Sequence, residues 1–182
     1  MANQPAHPSP PDLAELCRGL FDAPATAPRG APVSAEQLPE PARFLLVHDE
    51  HMTLRLEQHF GAAVRLRVLA DHLEGRSYRR RIVLTPDGHD RIVELGVVRI
   101  RLDRLPDAVR GEVLSKSAPL GDILTRHGVM THVRPQAYYR FDAADPALAP
   151  LSAAGGAERF GRVATIDCDG RPAIELLEII AV

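Results

Sequence analysis

The last ten residues constrain the fold more than any other stretch. From Ala173 to Val182, Ile174, Leu176, Glu178, Ile180 and Val182 alternate with Ala173, Glu175, Leu177, Ile179 and Ala181. In a strand, alternate residues face opposite sides. Both sides here are apolar, and each is interrupted by one glutamate. A strand apolar on both sides is covered on both sides. At least one carboxylate is then shielded from water, and a desolvated carboxyl has a raised pKa and serves as acid or base near neutrality. The alternative is a fraying terminal strand with both carboxylates wet.

The rest of the chain supplies partners for that strand. Val64, Leu66 and Val68 alternate with Arg65 and Arg67 in strand period. A second strand runs from Tyr78 to Leu84, followed by Asp87-Gly88, a hairpin signal, and a third from Ile92 to Leu102. Thr131 to Asp142 forms a strand whose Pro135 requires an edge or a bulge. Residues 143–158 read as a loop. A final hairpin joins Arg162–Ile166 to Ala173–Val182 through Asp167-Cys168-Asp169-Gly170. Helices are expected over Leu13–Phe21, capped by Asp12, and over a stretch from Met52 to Phe60 that stops at Gly61. Two more run from Leu105-Pro106-Asp107 to Leu114 and from Pro119-Leu120-Gly121 to His127. Strands in runs, not alternating with helices, define an α+β fold of about six antiparallel strands with short helices.

The chain has 182 residues, enough for one core, and a net charge of −2 that does not point to nucleic acid. No apolar run approaches the ~18–20 residues that span a bilayer, and Met1 to Pro11 lacks the pattern of a signal peptide. Cys17 and Cys168 lie far apart and fit no metal-ligand spacing, so two free thiols in a cytoplasmic protein are expected. Nine of the sixteen prolines fall before residue 42. Residues 1–42 are therefore read as a proline-rich arm with one short helix, and residues 43–182 as the folded domain.

Three features carry possible chemistry. In the strand Tyr78–Leu84, Arg80 shares a mainly apolar face with Tyr78, Ile82 and Leu84, while Arg79 and Arg81 fall on a face expected to be wet. An arginine on an apolar face needs a partner. That partner is either a ligand carboxylate, which the planar fork grips bidentately, or Glu94, which a tight Asp87-Gly88 turn places roughly opposite. The terminal glutamates Glu175 and Glu178 are the second feature. The third is Ala118-Pro119-Leu120-Gly121, which opens a helix with no charged cap and leaves free N–H groups for an anion, or is an ordinary helix start. His48, His51, His127 and His132 show no metal-site spacing and read as surface or helix-end residues. No GxSxG, GxGxxG or Walker loop occurs. Few aromatics accompany Arg79-Arg80-Arg81 for stacking on bases.

From about Phe44 onward the chain resembles the chorismate pyruvate-lyases. The resemblance rests on ordered segments: Leu45-Leu46 with His51-Met52-Thr53 and Leu56-Glu57-Gln58; Tyr78 to Leu84 with Asp87-Gly88; Val93-Glu94-Leu95-Gly96; Pro119-Leu120-Gly121; Phe160-Gly161-Arg162; and Gly170-Arg171-Pro172 with a glutamate near the end. It implies a six-stranded antiparallel sheet with a closed site under helical flaps. It also implies conversion of chorismate to 4-hydroxybenzoate and pyruvate, without metal or cofactor. In that reading Arg80 grips the ring carboxylate, and backbone groups at Met52 and at Leu120-Gly121 assist. Glu178, reached by a one-residue insertion, protonates the leaving oxygen, with Glu175 as the fallback. The same fold also suits another small-molecule reaction of secondary metabolism or a non-catalytic protein that binds a small aromatic acid. The ligand-sensing domains of some transcription regulators share this architecture, although no DNA-binding helix pair is read before residue 43. The expected partner is thus a small carboxylic acid, with no nucleic acid and no membrane.

Overall fold

The computed structural model describes residues 11–22 and 26–181. Expectations for residues 1–10 and for Val182 lie outside them. Seven strands form one antiparallel sheet: β1 (Gly30–Val33), β2 (Val64–Glu74), β3 (Ser77–Pro86), β4 (Glu94–Arg101), β5 (Thr131–Asp142), β6 (Glu158–Cys168) and β7 (Arg171–Ile180). Their order is β1-β5-β6-β7-β4-β3-β2, so the doubly apolar terminal strand lies at the centre. The helices are α1 (Leu13–Cys17), α2 (Ala42–Leu46), α3 (Met52–Phe60), α4 (Asp107–Ser115) and α5 (Leu120–Arg126). This is the α+β, chorismate lyase-like architecture.

The seventh strand comes from the proline-rich stretch. Gly30–Val33 has Pro32 inside it and pairs only with β5, an edge position where a missing N–H costs no ladder bond. Gly30 lies flat against Phe141, whose ring atoms a Cβ would meet at 2.7 Å. Pro135 sits beside a bulge between Pro135 and Ala137. The first helix is shorter than expected, with Asp12 capping the Ala14 N–H at 2.9 Å and the chain turning at Gly19, φ +74°.

Both faces of the sheet are covered. On the back, Val83, Leu95, Val97, Val163, Leu177 and Ile179 pack under Leu16 and Leu20 of the α1 region and under Leu148 and Leu151. On the front, Ile82, Leu84 and Ile180 pack with Leu38 and with α2 and α3, and Ile100, Ile166 and Ile174 pack with α4 and α5. Residues before position 43 thus enter both layers, through Leu16 and Leu20 on one side and Leu38 on the other.

The β3–β4 register differs from the expected one. A tight turn at Asp87-Gly88 would bring Arg80 near residue 95. The connection takes up more residues, so Leu84 pairs with Glu94 and Arg80 with Val98. Arg79 is also not wet. It is 8% exposed, and its Nη2 meets Glu15 Oε1 at 3.1 Å because α1 covers that face.

Candidate ligand site

Four strands align a diagonal of polar groups on the front face. Arg80 lies opposite Val98, which lies opposite Leu176. One step along, Ile82, Gly96, Glu178 and Arg162 form the next row, and beyond it come Leu84, Glu94, Ile180 and Phe160. The N-terminal turns of α3 and α5 close over these rows. A Cβ on Gly121 would stand 3.0 Å from His51 Cβ and 3.1 Å from Thr53 Oγ1, so only glycine lets the two helix starts meet this closely.

Beneath them is a cavity. Met52 and Thr53 line it from α3, Leu120 and Gly121 from the start of α5, and Arg80, Glu94 and Glu178 from the sheet. Ile82, Leu84, Val98, Ile166 and Leu176 supply apolar wall. Six of the seven residues singled out from the sequence therefore surround one space. Glu175 is the exception, because it faces the other side of the sheet and pairs with Arg99. The space is small: about 50 Å³ is open to the centres of water molecules, room for a few waters at most.

Arg80 is 1% exposed, yet its Nε and Nη1 find no acceptor. Glu94 does not pair with it. Burial pulls Arg80 down from its usual pKa, against the pull of Tyr78 and Asp71, but a guanidinium keeps its charge under such conditions. Asp71, opposite Arg80 on β2, is engaged by Lys116 at 2.7 Å and by the Tyr78 hydroxyl at 3.3 Å.

Glu178 has a different setting from the one expected of an acid. Its Oε2 accepts from Arg162 Nε at 2.6 Å, so its carboxylate is matched by a guanidinium. Arg162 is fully buried and donates onward: Nη1 to the carbonyls of Leu46 at 3.2 Å and His48 at 2.8 Å, and Nη2 to the carbonyl of Glu50 at 3.3 Å. It thus fastens the α2–α3 connection to the sheet. Arg162, of the Phe160-Gly161-Arg162 segment, is a site residue that the sequence reading missed. The signal was present, since Phe160, Arg162, Ala164 and Ile166 put an arginine on an apolar face, as at Arg80. His48 is also buried, contrary to expectation. Its Nε2–H donates to Leu45 O at 2.7 Å, and its Nδ1 accepts from the Glu50 N–H at 3.2 Å and from Arg162 at 3.3 Å. Burial and then the Arg162 charge bring its pKa down to about 4, so it is neutral at pH 7.

The carboxyl of this site whose neutral form is favoured is Glu94. It is 2% exposed and its Oε2 has no partner. Burial, and next the neighbouring Glu178 carboxylate, push its pKa well above the usual range, with Arg162 opposing. Gly96 makes room for it, since a Cβ there would come within 3.2 Å of Glu94 Oε1. Among the described residues no cluster of three or more His, Cys, Asp or Glu side chains is arranged to hold a metal ion. No described helix is long and apolar enough to cross a membrane.

No protein-family model matches the chain, and no curated protein matches it. Solved structures do. PhnF from Mycobacterium smegmatis aligns with a TM-score of 0.52 at 15% identity, over 75% of this chain and 65% of that one. The effector domain of PhnF aligns with a TM-score of 0.52 at 15% identity, over 72% of this chain and 88% of the domain. The ligand-binding domain of a protein described as a GntR-family transcriptional regulator, from Bordetella bronchiseptica, aligns at 15% identity with a TM-score of 0.42, over 64% of this chain and 84% of that one. The chain thus spans less than two thirds of the full PhnF structure. The two PhnF likenesses establish the fold. They also correct the expectation of a carbon–oxygen lyase, because these two structures are named as PhnF and its effector domain, not as lyases. The correction agrees with the site, where the carboxylate assigned to protonate a leaving oxygen is bound to Arg162.

Proposed function

We propose that this chain is a non-catalytic binding domain for a small carboxylic acid, of the aromatic type, held in the cavity under α3 and α5. One observation carries the reading. Arg80 is a buried guanidinium on the cavity wall whose Nε and Nη1 have no partner. An unmatched buried charge costs several kcal/mol, and a ligand carboxylate supplies the bidentate match. The apolar wall of Ile82, Leu84, Val98, Ile166 and Leu176 suits a ring. Met52, Leu120 and Gly121 close the ring's other side in this reading.

The name of one structural neighbour, the effector domain of PhnF, agrees with a binding role. The absence of a nucleic-acid partner, expected from composition, is not part of the proposal, because a transcriptional regulator acts at DNA.

The test is calorimetric titration of the purified chain with benzoate and 4-hydroxybenzoate, beside Arg80→Met. The expected result is saturable binding by the wild type and a loss of at least ~30-fold in the variant, the scale of a charge-assisted bidentate contact. Equal affinity in the two proteins would remove Arg80 from the site and with it this reading.

A further inference from the structure

The cavity holds two unsatisfied groups, and the second is an acid. Glu94 and Arg80 both line it. Arg80 pairs with Val98, so their Cα atoms are offset by four residues along β4, roughly 13 Å at strand rise. Between them lies apolar wall. The charged and titratable groups that line the cavity with Glu94 can be placed. Arg162 from β6 and Glu178 from β7 neutralise each other at 2.6 Å. His51, at the start of α3, bonds Thr131 Oγ1 at 3.0 Å, and burial, then the Arg162 charge, favour its neutral form. Arg80 on β3 is the remaining cation. The cavity residues from β2 and α5 are Leu66, Leu120 and Gly121, which are uncharged. Asp71, beyond the wall near Arg80, is paired with Lys116. Arg80, at one end, is thus the cavity's cation with unpartnered nitrogens.

We propose that Glu94 is the specificity-determining residue, and that the site takes a monocarboxylic acid bearing a neutral hydroxyl or oxo group at its far end while excluding dicarboxylates. This deepens the binding role proposed above and rests on it. The ligand's one negative charge meets Arg80. Its distal oxygen meets Glu94, whose buried Oε2 otherwise lacks any partner. A buried polar atom left unpaired is costly, so a ligand without the distal oxygen binds less well. A second carboxylate at that end would sit beside Glu178 and Glu94 with no cation free to match it. Burial, and next Glu178, favour the neutral form of Glu94, which agrees with a neutral distal oxygen.

The experiment titrates the full chain at pH 7 with 4-hydroxybenzoate, benzoate and benzene-1,4-dicarboxylate, in the wild type, Glu94→Gln and Glu94→Leu, with each variant's folding checked by its thermal transition. In the wild type, 4-hydroxybenzoate should bind about 10-fold more tightly than benzoate, and the dicarboxylate at least ~100-fold more weakly than 4-hydroxybenzoate. Glu94→Gln, neutral and of the same shape, keeps this order. Glu94→Leu brings 4-hydroxybenzoate and benzoate to within about twofold of each other. If the dicarboxylate binds as tightly as 4-hydroxybenzoate in the wild type, or if Glu94→Leu keeps the preference, the inference is overturned while the Arg80 site stands. If none of the three acids binds the wild type, the binding role itself fails and takes this inference with it.

Discussion

Two fully buried arginines stand on the same face of the same sheet, one row apart, in opposite circumstances. Arg162, on β6, bonds a carboxylate, three backbone carbonyls and His48 Nδ1, so each of its three nitrogens has an acceptor. Arg80, on β3, has an open cavity in front of it and two nitrogens without acceptors. Burial therefore does not separate a structural arginine from a binding one; satisfaction of its donors does. Arg79, next to Arg80 in sequence, stands between the two on the other face: Glu15 and the Arg18 carbonyl take its terminal nitrogens, and its Nε has no partner.

The comparison breaks most visibly in stability. Arg162→Met should destabilise the protein by about 3–5 kcal/mol, because it strands the Glu178 charge and frees the α2–α3 connection. Urea unfolding measures this, and a change under ~1 kcal/mol would show that the network is not holding the fold. Arg80→Met should move stability the other way, up by about 1 kcal/mol, since it removes an unmatched buried charge from the empty site. A loss like that of Arg162→Met would mean Arg80 has internal partners and is not a ligand group.

A pH titration sharpens the contrast further. His48 accepts from Arg162 only while its Nδ1 is unprotonated. Its folded pKa is depressed to about 4 from 6.5, so the unfolded chain binds the proton first as pH falls. The stability His48 contributes is present above pH 6.5 and lost between there and about pH 4, on the order of 1–2 kcal/mol after allowance for its partial solvation. His48→Gln should flatten that slope in unfolding curves taken across the range. The smallest effect belongs to Glu175→Gln. Its partner Arg99 is partly exposed, so the change should cost under about 1 kcal/mol and leave the ligand affinity alone. An affinity change would restore Glu175 to the site.

Much of this was legible in the sequence. Period-two patterns and turn residues located six of the seven strands, and the two apolar faces of 173–182 showed that β7 is covered on both sides. Arg80 stood out because a charge on an apolar face demands an account. The seventh strand was not legible, because Gly30–Val33 is too short and too proline-interrupted to announce itself and is a strand only because β5 offers an edge. Register was the other gap. Extra residues in the β3–β4 connection moved Arg80 away from Glu94. A bulge between Ile166 and Asp167 sets Arg162 opposite Glu178 and Thr165 opposite Glu175. Which glutamate faced the cavity, and which already had a partner, followed from those one- and three-residue shifts, which no local pattern reports.

The close meeting of Gly121 with His51 and Thr53 also bears on how fast the site can respond. A cavity with room for a few waters cannot admit a ring while the two helix starts touch. Exchange then waits on their separation, and the measured dissociation constant is the intrinsic one divided by the open fraction: if the helices part ~1% of the time, apparent affinity falls ~100-fold. A larger residue at position 121 would wedge the starts apart and trade residence time for rapid entry. The same contact that seals the cavity therefore also sets its clock.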